Sequence, residues 1–103
     1  MKPLRIEDEA EAEFKAATDY YEDKRAGLGL AFEEKIREAF QRIQRNPGLF
    51  PFYKKTPFQK CLVEQFPYLV FYRELEQHIT IVAVAHGRRR PGYWRKRKPT
   101  TEN

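Results

Sequence analysis

Residues 58–87 read FQKCLVEQFPYLVFYRELEQHITIVAVAHG, and the reading of this stretch decides the fold. It is dense in Val, Ile, Phe and Tyr, and it breaks twice, at Phe66-Pro67 and at the polar run Glu74-Leu75-Glu76-Gln77. Apolar segments bounded by turn residues predict three sequential strands, 58–66, 68–74 and 78–87, joined by tight turns into an antiparallel meander. In the last segment Ile79, Ile81, Ala83 and Ala85 alternate with Thr80, Val82, Val84 and His86. Both sets are largely apolar, which predicts a central strand with both faces covered.

Upstream the period changes. Residues 4–6 alternate and predict a short first strand. Asp8 or a neighbour is placed to cap a helix, with Glu9, Glu11 and Glu13 in its first turns, where the helix dipole favours acids. Ala10, Phe14, Ala17 and Tyr21 recur at helical spacing and mark one apolar face. Lys24 and Arg25 suit a helix C-terminus, and Gly27 supplies a stop. A second helix runs from about Gly29 to Arg45, lined by Leu28, Phe32, Ile36, Ala39, Phe40 and Ile43; Asn46-Pro47-Gly48 ends it. So short a joint implies an antiparallel helix hairpin. Residues 49–57, with Pro51 and Pro57, read as a rigid connection into the meander.

The expected fold is therefore α+β: an N-terminal strand, a two-helix antiparallel hairpin, then a three-stranded antiparallel meander, all strands in one sheet. A chain of 103 residues is expected to be a single domain, 1–103, with 99–103 a frayed tail.

The net charge of +5 is unevenly spread: residues 1–46 carry −2 and residues 47–103 carry +7. Seven basic residues fall between Arg88 and Lys98. Such asymmetry implies an anionic partner, either nucleic acid or an acidic protein segment. The single cysteine, Cys61, cannot form an internal disulfide, and His78 and His86 show no metal-ligand spacing; no metal or cofactor is expected. No apolar run suits a signal peptide or a membrane span, so a cytoplasmic protein is expected.

Several pieces stand in a characteristic order: Asp19-Tyr20-Tyr21-Glu22, then Gly27-Leu28-Gly29 followed by Phe32, then Asn46-Pro47. Phe66-Pro67-Tyr68, Val70-Phe71-Tyr72 and His86-Gly87-Arg88-Arg89-Arg90-Pro91-Gly92-Tyr93-Trp94 follow. In this arrangement the chain resembles the RelE/ParE superfamily of toxins from type II toxin–antitoxin systems. The resemblance implies a RelE-like fold and a co-expressed antitoxin that wraps the toxin in a hetero-oligomer. It also implies one of two targets. RelE-like members cut messenger RNA in the ribosomal A site, and ParE-like members poison DNA gyrase.

Metal-free RNA cleavage needs a base for the ribose 2′-hydroxyl, cations for the phosphorane and an acid for the leaving oxygen. Laid over this chain, the nuclease pattern of the superfamily places catalytic residues at Lys60, Arg89 and, with a small gap, Tyr93. Two further cationic positions fall on Leu62 and Leu69, which can neither stabilise a phosphorane nor carry a proton. Loss of two such positions removes several kcal/mol of transition-state stabilisation, at about 2.7–4 kcal/mol for each preorganised donor. Arg73 or Arg88 are the cations available as substitutes. The ParE-like reading is favoured, since it asks only for a shaped surface.

For target or antitoxin binding the candidates are Arg73, His86, Arg88, Arg90, Trp94 and Arg97. Arginines seat phosphates or carboxylates, and an aromatic ring stacks on a base. The plainer reading of the basic tail is a solvated charge run with Trp94 packed back on the sheet. For His86 it is a strand-end histidine bonded to a neighbour. A rival of another class is a non-toxic basic nucleic-acid-binding module, although neither helix carries the positive charge.

Overall fold

The computed structural model describes residues 1–89 and 92–97. Arg90 and the 99–103 tail, on which expectations were placed, lie outside the described residues. The elements are β1 (Leu4–Ile6), α1 (Asp8–Lys24), α2 (Leu28–Arg45), β2 (Gln59–Leu62), β3 (Tyr68–Glu74) and β4 (Ile79–His86). They form one sheet in the order β1-β4-β3-β2. The β2–β3–β4 meander is antiparallel, and β1 joins β4 in parallel with Leu4 opposite Ile79 and Ile6 opposite Ile81. The expected α+β order holds in full.

The helix hairpin packs on one face of the sheet. Ala10 and Ala17 of α1 and Phe32, Ile36, Ala39 and Ile43 of α2 are buried there against Cys61, Val70, Tyr72, Ile79, Ile81 and Val84. Phe14, Tyr21, Phe32 and Phe66 meet edge to face within this layer, a geometry that adds to area burial. The Tyr72 hydroxyl donates to the Pro47 carbonyl at the end of α2.

The joint between the helices explains its two glycines. Gly27 is the N-cap of α2 at φ 89°, a left-handed backbone that costs a side chain dearly. A Cβ on Gly29 would lie 2.8 Å from the Thr18 carbonyl oxygen and 2.9 Å from the Glu22 side chain. The Glu22 carboxylate needs that closeness, because it accepts the N–H groups of Gly27 and Gly29 and so caps α2 from the preceding helix. Of the expected cap, Asp8 or a neighbour, Asp8 is the first residue of α1 and the neighbouring Glu7 holds the cap position, without a side-chain capping bond. Its buried carboxylate accepts a 2.8 Å bond from the Thr80 hydroxyl on β4.

Two strand expectations are corrected. The strand read over 58–66 is shorter, ending at Leu62, and Gln65 at φ 68° turns the chain before Pro67. The simple alternation read in β4 also fails. Phe71 pairs with Ala83 and Tyr72 with Ile81, so Val82 is an extra residue at a bulge. Ile81 and Val84 face the helices, while Val82 and Ala83 both face the other side. Bulges leave one residue unpaired and re-aim those beyond it.

That second face has its own apolar layer, made of Tyr53, Phe58, Phe71, Val82, Ala83, Ala85 and Trp94. The segment before β2 folds back to build it. The backbone N–H of Tyr53 donates to the Phe58 carbonyl, that of Lys60 to the Pro51 carbonyl, and Phe52 bridges Gln59. The outer edge of β2 is thereby partly covered, and the Leu62 carbonyl accepts a bond from Arg42.

Candidate functional site

Past the bulge, β4 delivers the chain into a turn that His86 organises. The Arg88 N–H donates to His86 Nδ1 and the Arg89 N–H to the His86 carbonyl, each at 3.0 Å. The His86 ring meets Tyr68 edge-on. His86 is thus the strand-end histidine of the plainer reading, and it fixes the direction in which Arg88 and Arg89 leave the sheet.

The chain then returns across the sheet face opposite the helices, where Trp94 is 1% exposed. Its indole lies 4.2 Å from the Phe71 ring and also meets Phe58 and Tyr53. Trp94, a candidate for partner contact, is a core residue here, with almost all of its surface taken by these rings. Arg97 is likewise turned inward: it donates to the Val82 carbonyl and to both carboxylate oxygens of Glu13. Its side chain is 15% exposed, with Glu9 a further 3.5 Å partner. The expectation that Arg97 faces a partner is corrected.

Three expected residues do converge. Lys60, Arg89 and Tyr93 line one cleft of about 90 Å³ on this face, together with His86, Leu69 and Trp94. Arg89 is the exposed cation of the group, at 55%, and its guanidinium lies 3.8 Å over the Tyr93 ring. Arg73 and Arg88 do not line the cleft. Arg73 lies farther along β3, in register with Thr80, and Arg88 is exposed beyond the turn. Leu62 stands directly opposite Leu69 on the neighbouring strand and is 64% exposed. An apolar pair therefore sits two residues beyond Lys60, where the nuclease pattern calls for cations.

The centre of the arrangement is Glu13 of α1. Its carboxylate, 13% exposed, accepts the Tyr93 hydroxyl, two Arg97 N–H groups and the backbone N–H of Val84, and it lies 3.6 Å from an Arg89 nitrogen. Burial, the bond to Glu13 and the negative charge of that carboxylate together hold the Tyr93 phenol well above the ordinary tyrosine range. In the sequence Glu13 is one of several helix-start acids. Yet helical spacing puts it between Ala10 and Ala17 on the apolar stripe of α1, and an acid on a buried stripe is a signal that it has partners.

His86 and Arg89 divide this cleft from an open groove between α1 and the sheet, lined by Glu13, Ala16, Ala17, Tyr20, Tyr68 and Val84. Cys61 is buried and unpaired, its thiol pushed up by burial. Among the described residues no cluster of His, Cys, Asp or Glu is placed to hold a metal ion, and no helix is long and apolar enough to cross a membrane.

A family model described as the ParE toxin of type II toxin-antitoxin system, parDE, matches residues 4–91. Among solved structures the chain is similar to one described as "Chromosomal ParDE TA system from P. aeruginosa". The TM-score is 0.75 at 20% identity, covering 84% of this chain and 96% of that one, and the likeness is one of fold. No curated protein sequence matches.

Proposed function

This chain belongs to the ParE toxins of type II toxin–antitoxin systems, and we propose that it arrests growth by docking on a protein of DNA replication, DNA gyrase first among the candidates. The docking face is the cleft of Lys60, His86 and Arg89 with the neighbouring Leu62–Leu69 pair. A cognate antitoxin keeps the toxin silent in a hetero-oligomer.

The observation that carries this reading is the apposition of Leu62 and Leu69 beside Lys60. An exposed leucine with Lys60 two residues away on its strand and Arg42 bonded to its carbonyl is a docking feature, since apolar contact supplies affinity and the charges steer the encounter. It contributes nothing to a phosphorane. The Tyr93 hydroxyl adds to the case, because its donation to Glu13 engages the proton that a general acid would deliver.

One observation favours a second reading, a ribosome-dependent endoribonuclease: Lys60, Arg89 and Tyr93 share a single cleft. Pulse-labelling of induced cells separates the two. An early fall in thymidine incorporation, before amino-acid incorporation, supports the replication target. An early fall in amino-acid incorporation overturns it in favour of the nuclease.

A further inference from the structure

Glu13 does not line the cleft, yet its carboxylate holds two side chains that do, Tyr93 and Arg89. Tyr93 and Arg97 reach its carboxylate from the returning segment, Arg89 from the turn after β4, and the Val84 amide from the strand itself. Two guanidinium groups lie near the Tyr93 ring, Arg89 at 3.8 Å and Arg97 at 5.1 Å. Their like charges repel each other, and only a carboxylate between them makes that crowding stable.

The geometry points to Glu13 as a positioning residue of the docking site, steering Arg89 to the cleft mouth through Tyr93 and Arg97. This rests on the reading of the cleft as the docking surface. Arg97 supplies most of the charge pairing to Glu13, at 3.0 and 3.2 Å against 3.6 Å for Arg89. Arg89 is therefore held in direction while its remaining N–H groups stay open to an incoming carboxylate or carbonyl. Preorganised donors of this kind bind more tightly than mobile ones, because their ordering precedes the encounter.

The two anchors of the returning segment are separable. Trp94 is fixed by apolar contact with Phe71, Phe58 and Tyr53, which owes nothing to Glu13. Glu13→Gln keeps an acceptor for the Val84 amide and removes the charge that grips both arginines. Its native Trp94 emission and its capture by the antitoxin should persist. Tyrosinate absorbance should show Tyr93 ionising at lower pH than in the parent. Toxicity on graded induction should require roughly 10- to 100-fold more protein, the loss of one charge-assisted contact. Arg97→Lys keeps the charge, loses the two-point grip on Glu13 and leaves the cleft lining untouched; it should also lower toxicity.

Wild-type toxicity in both variants, with Arg89→Ala inactive, overturns the role of Glu13 and leaves the docking surface standing. Wild-type toxicity in Arg89→Ala overturns the docking surface itself. Loss of native Trp94 emission in Glu13→Gln, with Arg97→Lys fully toxic, makes Glu13 a residue of the fold alone and overturns the inference.

Discussion

The guanidinium of Arg89 stacks 3.8 Å over the ring of Tyr93, and the hydroxyl of that ring is tied to Glu13. The stack sets a flat, forked cation at the mouth of a cleft that Lys60, His86, Leu69, Phe71 and Trp94 also line. Arg89→Ala should abolish toxicity while antitoxin affinity changes by no more than about threefold, a small loss beside the roughly 2 kcal/mol or more of a hot-spot residue. Arg89→Lys should also fail, since an ammonium neither stacks nor presents a fork. Colony survival on induction, beside calorimetry with the antitoxin, measures both; full toxicity in either variant removes Arg89 from the site.

Four phenols are raised above the ordinary tyrosine range, Tyr72 and Tyr93 the furthest and Tyr21 and Tyr68 less, burial being the first cause in each. Folding therefore favours their un-ionised forms. That contribution is complete below about pH 10, where an unfolded phenol titrates. It disappears as pH rises through the higher folded values. Stability should fall in alkali only beyond the ordinary tyrosine range. Spectrophotometric titration should show a late-ionising group that Tyr93→Phe diminishes; an unchanged titration in that variant would contradict the assignment.

Trp94→Ala should lower unfolding free energy by about 3–5 kcal/mol, as truncation of a buried aromatic does. Urea denaturation measures it. A loss under about 1 kcal/mol would mean that the returning segment is not part of the core.

Leu62 is exposed, so Leu62→Lys should leave stability within about 0.5 kcal/mol. Toxicity should nonetheless fall, because the change puts a hydrated charge where docking needs an apolar contact. A variant both stable and fully toxic would exclude Leu62 from the docking face.

Much of this was legible in the residues. β3 was bounded by Pro67 and the polar run after Arg73, and the helices by their apolar stripes and Asn46-Pro47. Lys60, Arg89 and Tyr93 were each named, and they share a cleft. The end of β2 was not legible, because Val63 and Phe66 look like strand residues until Gln65 adopts a positive φ. Trp94 was weighed as a surface ring because a window of local sequence full of arginines cannot show what lies beneath it. Only the fold brings Phe71, Phe58 and Tyr53 to meet it. Glu13 was missed for the same reason: its donors Tyr93 and Arg97 lie 80 and 84 residues away along the chain.

The unpaired Val82 makes the placement of the toxin's charge a matter of parity. Were the same residues paired with β3 without the bulge, those of β4 beyond Val82 would exchange sides, sending Ala83 and Ala85 toward the helices and Val84 away from them. Deleting the Val82 codon would instead restore plain alternation, because Val82 and Ala83 already face the same side, and would leave every later residue of β4 on the face it now has. Relatives that lack one residue between Ile81 and Val84 are therefore expected to meet their targets with the same face of the sheet, on a β4 without the bulge.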